Sequence, residues 1–213
     1  YTSAYATASS FSLTEIDVAG GMLGMGFTGA SSAALNRVSV GNVIGSGIDF
    51  IGPDLSATLS DVLIENTQLF PLVLKQADVD AERLRIQDSR TLGISADASN
   101  LNVSDLTVDN IQPLEAHDYD NLRIYYEDVL VDDLVDREGF FGQGLLALGG
   151  SEVTLNRASI TNVHEVAVWA RGEDTRVSVT DLYFADVAES LQEVGVGFWA
   201  DEKAQVSATR GLI

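Results

Sequence analysis

Leu101-Asn-Val103-Ser-Asp-Leu106-Thr-Val108 holds two short runs in which apolar and polar residues alternate, separated by Ser104 and Asp105. Alternation with period two gives an extended strand one apolar face. The octet therefore reads as two half-buried strands joined by a corner. A hairpin between such runs calls for a pair such as Asn-Gly or Asp-Gly. Neither pair separates alternating runs anywhere in the chain. The corner must lead the chain onward rather than back on itself.

The same octet recurs on both sides. Upstream it reads Phe11–Val18, Ala33–Val40, Ala57–Ile64 and Val79–Ile86; downstream it reads Ile124–Val131, Val153–Ile160 and Val177–Phe184, and a ninth copy begins at Val206. The second apolar position falls at Leu13, Leu35, Leu59, Ala81, Val103, Tyr126, Leu155, Val179 and Ala208. The intervals are 22, 24, 22, 22, 23, 29, 24 and 29 residues. Spacing this regular marks a solenoid, in which each repeat buries its apolar face only by stacking on the next. Several copies carry a third run: Ile48-Asp-Phe50, Leu72-Val-Leu74, Ile94-Ser-Ala96 and Val168-Trp-Ala170. A leucine-rich repeat would need an arc with helical apolar spacing, and none of these segments has it. The expected fold is an all-β parallel β-helix solenoid of about nine rungs of 22–24 residues with three sheets. Residues 1–10 are small and polar and read as a linker or unsealed end. Residues 11–213 read as one β-helix domain, part of a longer solenoid.

Two polar columns support the register. Two residues after the second run stand Gly20, Asn42, Asn66, Asp88, Asn110, Asp133, Asn162 and Asp186. All are types that tolerate a left-handed backbone, as a tight corner demands. Just before the second run stand Glu15, Arg37, Asp61, Arg83, Asp105, Asp128, Arg157, Asp181 and Arg210. Their sign alternates except at Asp105 and Asp128. Stacked strands lie about 4.7–4.9 Å apart, so the column reads as an inter-rung ion ladder that fixes register.

With this repeat and its Asn/Asp corners, the chain from Phe11 to Ile213 resembles the right-handed parallel β-helix (pectin-lyase-like) superfamily. The resemblance implies a right-handed coil. It leaves activity open, because that superfamily spans polysaccharide lyases, glycoside hydrolases, tailspikes, adhesins and surface proteins. Its polygalacturonases use Asn-Thr-Asp, Asp-Asp, Gly-His-Gly and Arg-Ile-Lys in that order. This chain offers Asn66-Thr67-Gln68, Asp132-Asp133, Gly142-Gln143-Gly144 and Arg123-Ile124-Tyr125. The first lacks its acid, the third its histidine, and the fourth is out of order and lacks its lysine.

Thirty-two acids against 12 bases give a net charge of -20 at pH 7. The bases form no run, which argues against nucleic acid, and an anionic membrane surface would repel the chain. No stretch approaches the ~18 apolar residues of a membrane span, so no membrane insertion is expected. The absence of cysteine removes disulfides and thiolate chemistry. An acidic, lysine-poor composition fits an extracellular or cell-surface setting.

Candidate sites fall where the repeat is interrupted, because loops on a rigid stack carry function. These stretches are Gln112–Asn121, Val135–Gly144 and Ala188–Val194. Asp118, Asp120, Asp132 and Asp136 are the candidate catalytic acids should the chain be a glycoside hydrolase or polysaccharide lyase. Asp118 and Asp120 are the candidate metal ligands, with calcium the one cofactor they would suit. The spacing matches no EF-hand and no calcium-binding nonapeptide. Trp169, Trp199, Phe140 and Phe141 are candidate ligand-binding aromatics that could stack on sugar rings or dock a protein. His117 could answer to pH beside Asp118, whereas His164 reads as a surface turn residue. The outward column Ser12, Ala34, Thr58, Asp80, Asn102, Tyr125, Thr154 lacks the threonine ladder of an ice-binding face. The expected function is that of a non-enzymatic surface module presenting a rigid face to a carbohydrate or protein ligand. The alternative is a carbohydrate-active β-helix enzyme. Open strand edges at the last copy point to end-to-end self-association or a neighbouring β-helix.

Overall fold

The computed structural model describes residues 4–7, 10–29, 32–113, 142–189 and 195–212. Among these, regular structure is entirely β. Thirteen strands run in order: β1 (Ala4–Thr7), β2 (Ser10–Ala19), β3 (Leu23–Thr28), β4 (Ser32–Val43), β5 (Ser46–Thr67), β6 (Phe70–Arg90), β7 (Leu92–Asp97), β8 (Asn100–Gln112), β9 (Gln143–Leu148), β10 (Glu152–Arg171), β11 (Arg176–Ala188), β12 (Gly195–Asp201) and β13 (Gln205–Leu212). Every recorded pairing is parallel. The long strands bend through corners, so one hydrogen-bonded ribbon passes over three faces.

Register fixes the number of levels. On the first face Leu13, Leu35, Leu59, Ala81, Val103, Leu155, Val179 and Ala208 stack consecutively, which makes eight. The six inner levels are covered on both sides. The ninth level expected from Ile124–Val131 is not in the stack, because Val103 pairs directly with Leu155. Residues 114–141 lie outside the described residues and fall between β8 and β9, the second and third runs of one level. Tyr125, Tyr126, Asp128 and Asp133 are among them, and in each described column the residue of the β8 level pairs directly with that of β10. Ala4–Thr7, read as linker, adds a strand to the third face through its pairing with β3.

The corners follow from backbone conformation. Asn42, Asn66, Asp88, Asn110, Asn162 and Asp186 all have φ between 50° and 57°. Asn and Asp tolerate this left-handed region best among residues with a side chain. The ion column is left-handed too: Glu15, Arg37, Asp61, Arg83, Asp105, Arg157, Asp181 and Arg210 have φ of 53–61°. Asp61, Asp105 and Asp181 suit that backbone, whereas Glu15 and the arginines are poor choices for it, so half and more of the column is held by partners rather than propensity. With Asp128 gone, the signs alternate without exception. Arg37 reaches Glu15 at 2.8 Å, Arg83 reaches Asp61 at 2.5 Å, Arg157 reaches Asp105 at 2.5 Å and Arg210 reaches Asp181 at 2.7 Å. All are exposed, so each adds little stability. A slip of one level would oppose like charges along the column.

Inward positions of the three faces form one continuous core. Leu35, Val40, Ile48, Phe50, Ile64, Leu72, Ile86, Ile94, Leu145 and Val168 are almost wholly buried. Phe27 stacks on Phe50 at 5.2 Å. Where the third face begins, backbones approach too closely for side chains. A Cβ at Gly47 would lie 2.5 Å from the Pro71 carbonyl oxygen, and one at Gly144 would lie 2.5 Å from that of Ala167.

Candidate functional site

The first face turns two outward columns of short polar side chains to solvent. In register they read Ser12, Ala34, Thr58, Asp80, Asn102 and Thr154, and beside them Thr14, Asn36, Ser60, Glu82, Ser104 and Asn156. The left-handed corner that follows bends the ribbon, and these columns line an open groove of about 660 Å³ across six levels. A second hollow of about 410 Å³ continues it past Asp78, Asn100 and Glu152. Most of the side chains are short and leave room for a ligand, and all but Ala34 carry a hydroxyl, amide or carboxylate.

Hydrogen bonds between levels set the groove's electrostatics. Asn100 Nδ2 donates to Asp78 at 2.7 Å and Asn102 Nδ2 to Asp80 at 2.9 Å. Along the edge, Arg83 bonds Asp61 and Glu82 together and also donates to Ser60. That guanidinium holds the Asp61 carboxyl below the usual carboxylate range, and Arg157 does the same for Asp105. The lining is acidic at its centre and hydroxyl- and amide-rich at both ends. In sequence the first column shows only that it lacks the threonine ladder of an ice-binding face; the groove emerges from the stacking of the two columns.

The aromatic candidates fall on the third face. Leu146, Trp169 and Trp199 occupy one outward column on successive levels. The indoles lie 5.7 Å apart at 35°. Trp169 is half-buried and donates from Nε1 to Asp201 at 3.4 Å. Arg171 sits 6.0 Å over its ring and binds Glu202 at 2.7 Å. Trp199 is 37% exposed, so one edge of the pair stays open. Phe140 and Phe141 lie outside the described residues.

So do Asp118, Asp120, Asp132, Asp136 and His117. Among the described residues, no cluster of three or more His, Asp or Glu could hold a metal ion. His164 is half-buried at the corner between second and third faces, where its backbone N–H donates to the Gly142 carbonyl at 2.7 Å. Residues 114–141 and 190–194, which follow this corner, lie outside the described residues. Gln143 does not face a cleft: it is 1% exposed and donates to Glu165 at 2.6 Å.

Asp49 takes the outward position of the run Ile48-Asp-Phe50. It lies on the third face between Gly26 and Val73. Its Oδ1 is closed off from solvent and has no partner. Burial pushes its carboxyl up to about 7, against a smaller lowering by the Ser46 hydroxyl.

These features define the class: a parallel β-solenoid with a polar groove on one face and an aromatic pair on another. Comparison with protein-family models, curated proteins and solved structures finds no match. The fold therefore rests on the chain's own repeat and register.

Proposed function

We propose that this chain is a rigid, non-enzymatic binding scaffold whose first-face groove takes an extended, neutral, hydroxyl-rich ligand, a linear glycan. The groove across six levels carries the reading. Each of its six levels offers at least one hydroxyl, amide or carboxylate at the inter-strand spacing of about 4.8 Å, which suits a ligand that is itself a linear repeat. The net charge of -20 disfavours polyanionic chains. Asp78 and Asp80 are engaged by amide donors and Glu82 by a guanidinium, which suits sugar hydroxyls more than a general acid with a free proton. Parallel crossovers are right-handed in about 98% of cases, which agrees with a right-handed coil and with placement in the pectin-lyase-like superfamily. The composition fits an extracellular or cell-surface location.

A panel of neutral and acidic oligosaccharides, with and without calcium, tests this. Binding is read by calorimetry and products by chromatography. Binding of neutral chains without products, lost in Thr58→Trp, supports the proposal. Cleavage in the presence of calcium supports an enzyme with acids among Asp118, Asp120, Asp132 and Asp136. Absence of binding to every glycan overturns the groove assignment.

A further inference from the structure

We infer that the fourth and fifth levels of the groove form a hydrogen-bond-accepting subsite, which takes only sugar units whose hydroxyls are free to donate. The inference rests on the groove being the ligand site and adds what the ligand must offer at one place in it. It starts from the hollow of about 410 Å³ that continues the groove. Four of the side chains lining it form two ladders, Asp78 stacked on Asn100 and Asp80 stacked on Asn102. Alternate residues of a strand share a face, so the two ladders stand side by side.

Donors and acceptors can be counted in each ladder. Asn100 Nδ2 donates to Asp78 Oδ1 at 2.7 Å, and Asn102 Nδ2 donates to Asp80 Oδ1 at 2.9 Å. An amide nitrogen carries two hydrogens, whereas an ionised carboxylate only accepts. Each bond therefore fixes which way its amide faces and uses one of the two donors. Left over in each ladder are the second carboxylate oxygen, the amide carbonyl oxygen and a single N–H. Glu152, on the level beyond Asn100, brings another carboxylate to the hollow. Against these acceptors stand only the remaining amide N–H groups and the Thr154 hydroxyl. Glu82 differs from Asp78 and Asp80, because Arg83 bonds it.

The first three levels have another character. Ser12, Thr14, Thr58 and Ser60 line them with hydroxyls, and a hydroxyl donates or accepts as its partner requires. Those levels accommodate an ether or ester oxygen on the ligand; the Asp–Asn ladders do not. An O-methyl or O-acyl group removes the ligand's donor and turns an oxygen toward a carboxylate that is left without a partner. Neighbouring hydroxyls of an unsubstituted sugar instead donate to neighbouring acceptors. A lost bond to a charged group corresponds to about tenfold in affinity or more.

Calorimetric titration with cellohexaose, xylohexaose and mannohexaose, each with free hydroxyls and fully O-methylated, tests the inference. The proteins are the wild-type chain, Asp78→Asn, Asp80→Asn and Thr58→Val. The wild-type chain should prefer the free form of the sugars it binds by at least about tenfold. Each Asp→Asn change puts an N–H where the free carboxylate oxygen stood. The methylated form should then gain affinity, which misfolding could not produce, and the preference should shrink by about tenfold. Thr58→Val, at the third level, should leave the preference as it is. Equal binding of free and methylated forms overturns the inference while the groove assignment stands. So does a preference that survives both Asp→Asn changes, or one that Thr58→Val abolishes. Failure of all three sugars to bind in either form overturns the groove assignment and the inference together.

Discussion

Replacing Asp49 with Asn should make the solenoid more stable, and the gain should grow with pH. An unfolded aspartate titrates near 3.9, whereas burial holds the native carboxyl near 7. Between these values the unfolded chain has released its proton and the native chain has kept it. Stability then falls as pH rises, because the unfolded state binds fewer protons. The contribution is complete below about pH 4, is lost progressively up to about pH 7, and is flat above. At about 1.36 kcal/mol per pKa unit the displacement corresponds to about 4 kcal/mol at most. Local relaxation brings the expected effect to about 2–4 kcal/mol. Asn carries no charge at any pH and can still accept from Ser46. The assay is urea unfolding of both proteins at pH 4.5, 6, 7.5 and 8.5. Repulsion among the remaining acids is common to both and cancels in the difference. A difference that is constant across the series, or that shrinks as pH rises, would refute the argument that this carboxyl is desolvated.

Other perturbations probe other parts of the account. Joining Pro113 directly to Gly142 should leave the melting temperature within a few degrees of the parent, because the Gly142 Cβ position lies 3.2 Å from the Pro113 nitrogen; loss of cooperative melting would show that residues 114–141 hold the stack together. Leu84→Ala should cost about 2–5 kcal/mol in urea unfolding, the usual range for a core leucine, since Leu84 is 1% exposed at an inner level. Gly144→Ala should cost about 1–3 kcal/mol by overpacking against the Ala167 carbonyl, whereas Gly150→Ala meets nothing within 4 Å and pays only for its φ of 82°. Trp199→Ala should leave glycan affinity in the groove unchanged, as the indole lies on a different face; a loss of binding would move the site to the aromatic pair.

The fold was legible because every strand repeats one alternation and every corner repeats one backbone requirement. Asn42, Asn66 and Asn110 mark left-handed corners by residue type alone, and their φ values of 56°, 50° and 57° agree. The misreading came from Ile124–Val131, whose alternation copies that of a rung at a tolerable spacing. Alternation reports only that a strand could have two faces, not that it pairs with its sequence neighbours. The signal that could have caught it was electrostatic. Asp105 followed by Asp128 was the one like-charge step in the column, and removing it leaves Asp105 beside Arg157. The groove was harder to see. Its residues sit in plain columns, but concavity depends on how far the corner at Asp61 or Asp105 bends the ribbon. Asp49 was hidden for a related reason: in Ile48-Asp-Phe50 it takes the outward position, and only its neighbours on adjacent levels bury it.

Affinity as a function of glycan length tests the central claim, that the first face reads an extended ligand level by level. Neutral oligosaccharides of increasing length would be titrated into the protein by calorimetry, with Thr58→Trp as the blocked control. Affinity should climb with each added sugar until the ligand fills the groove from Ser12 to Thr154, then level off, and the blocked variant should lose most of the gain. Affinity independent of length, or unaffected by Thr58→Trp, would contradict the account.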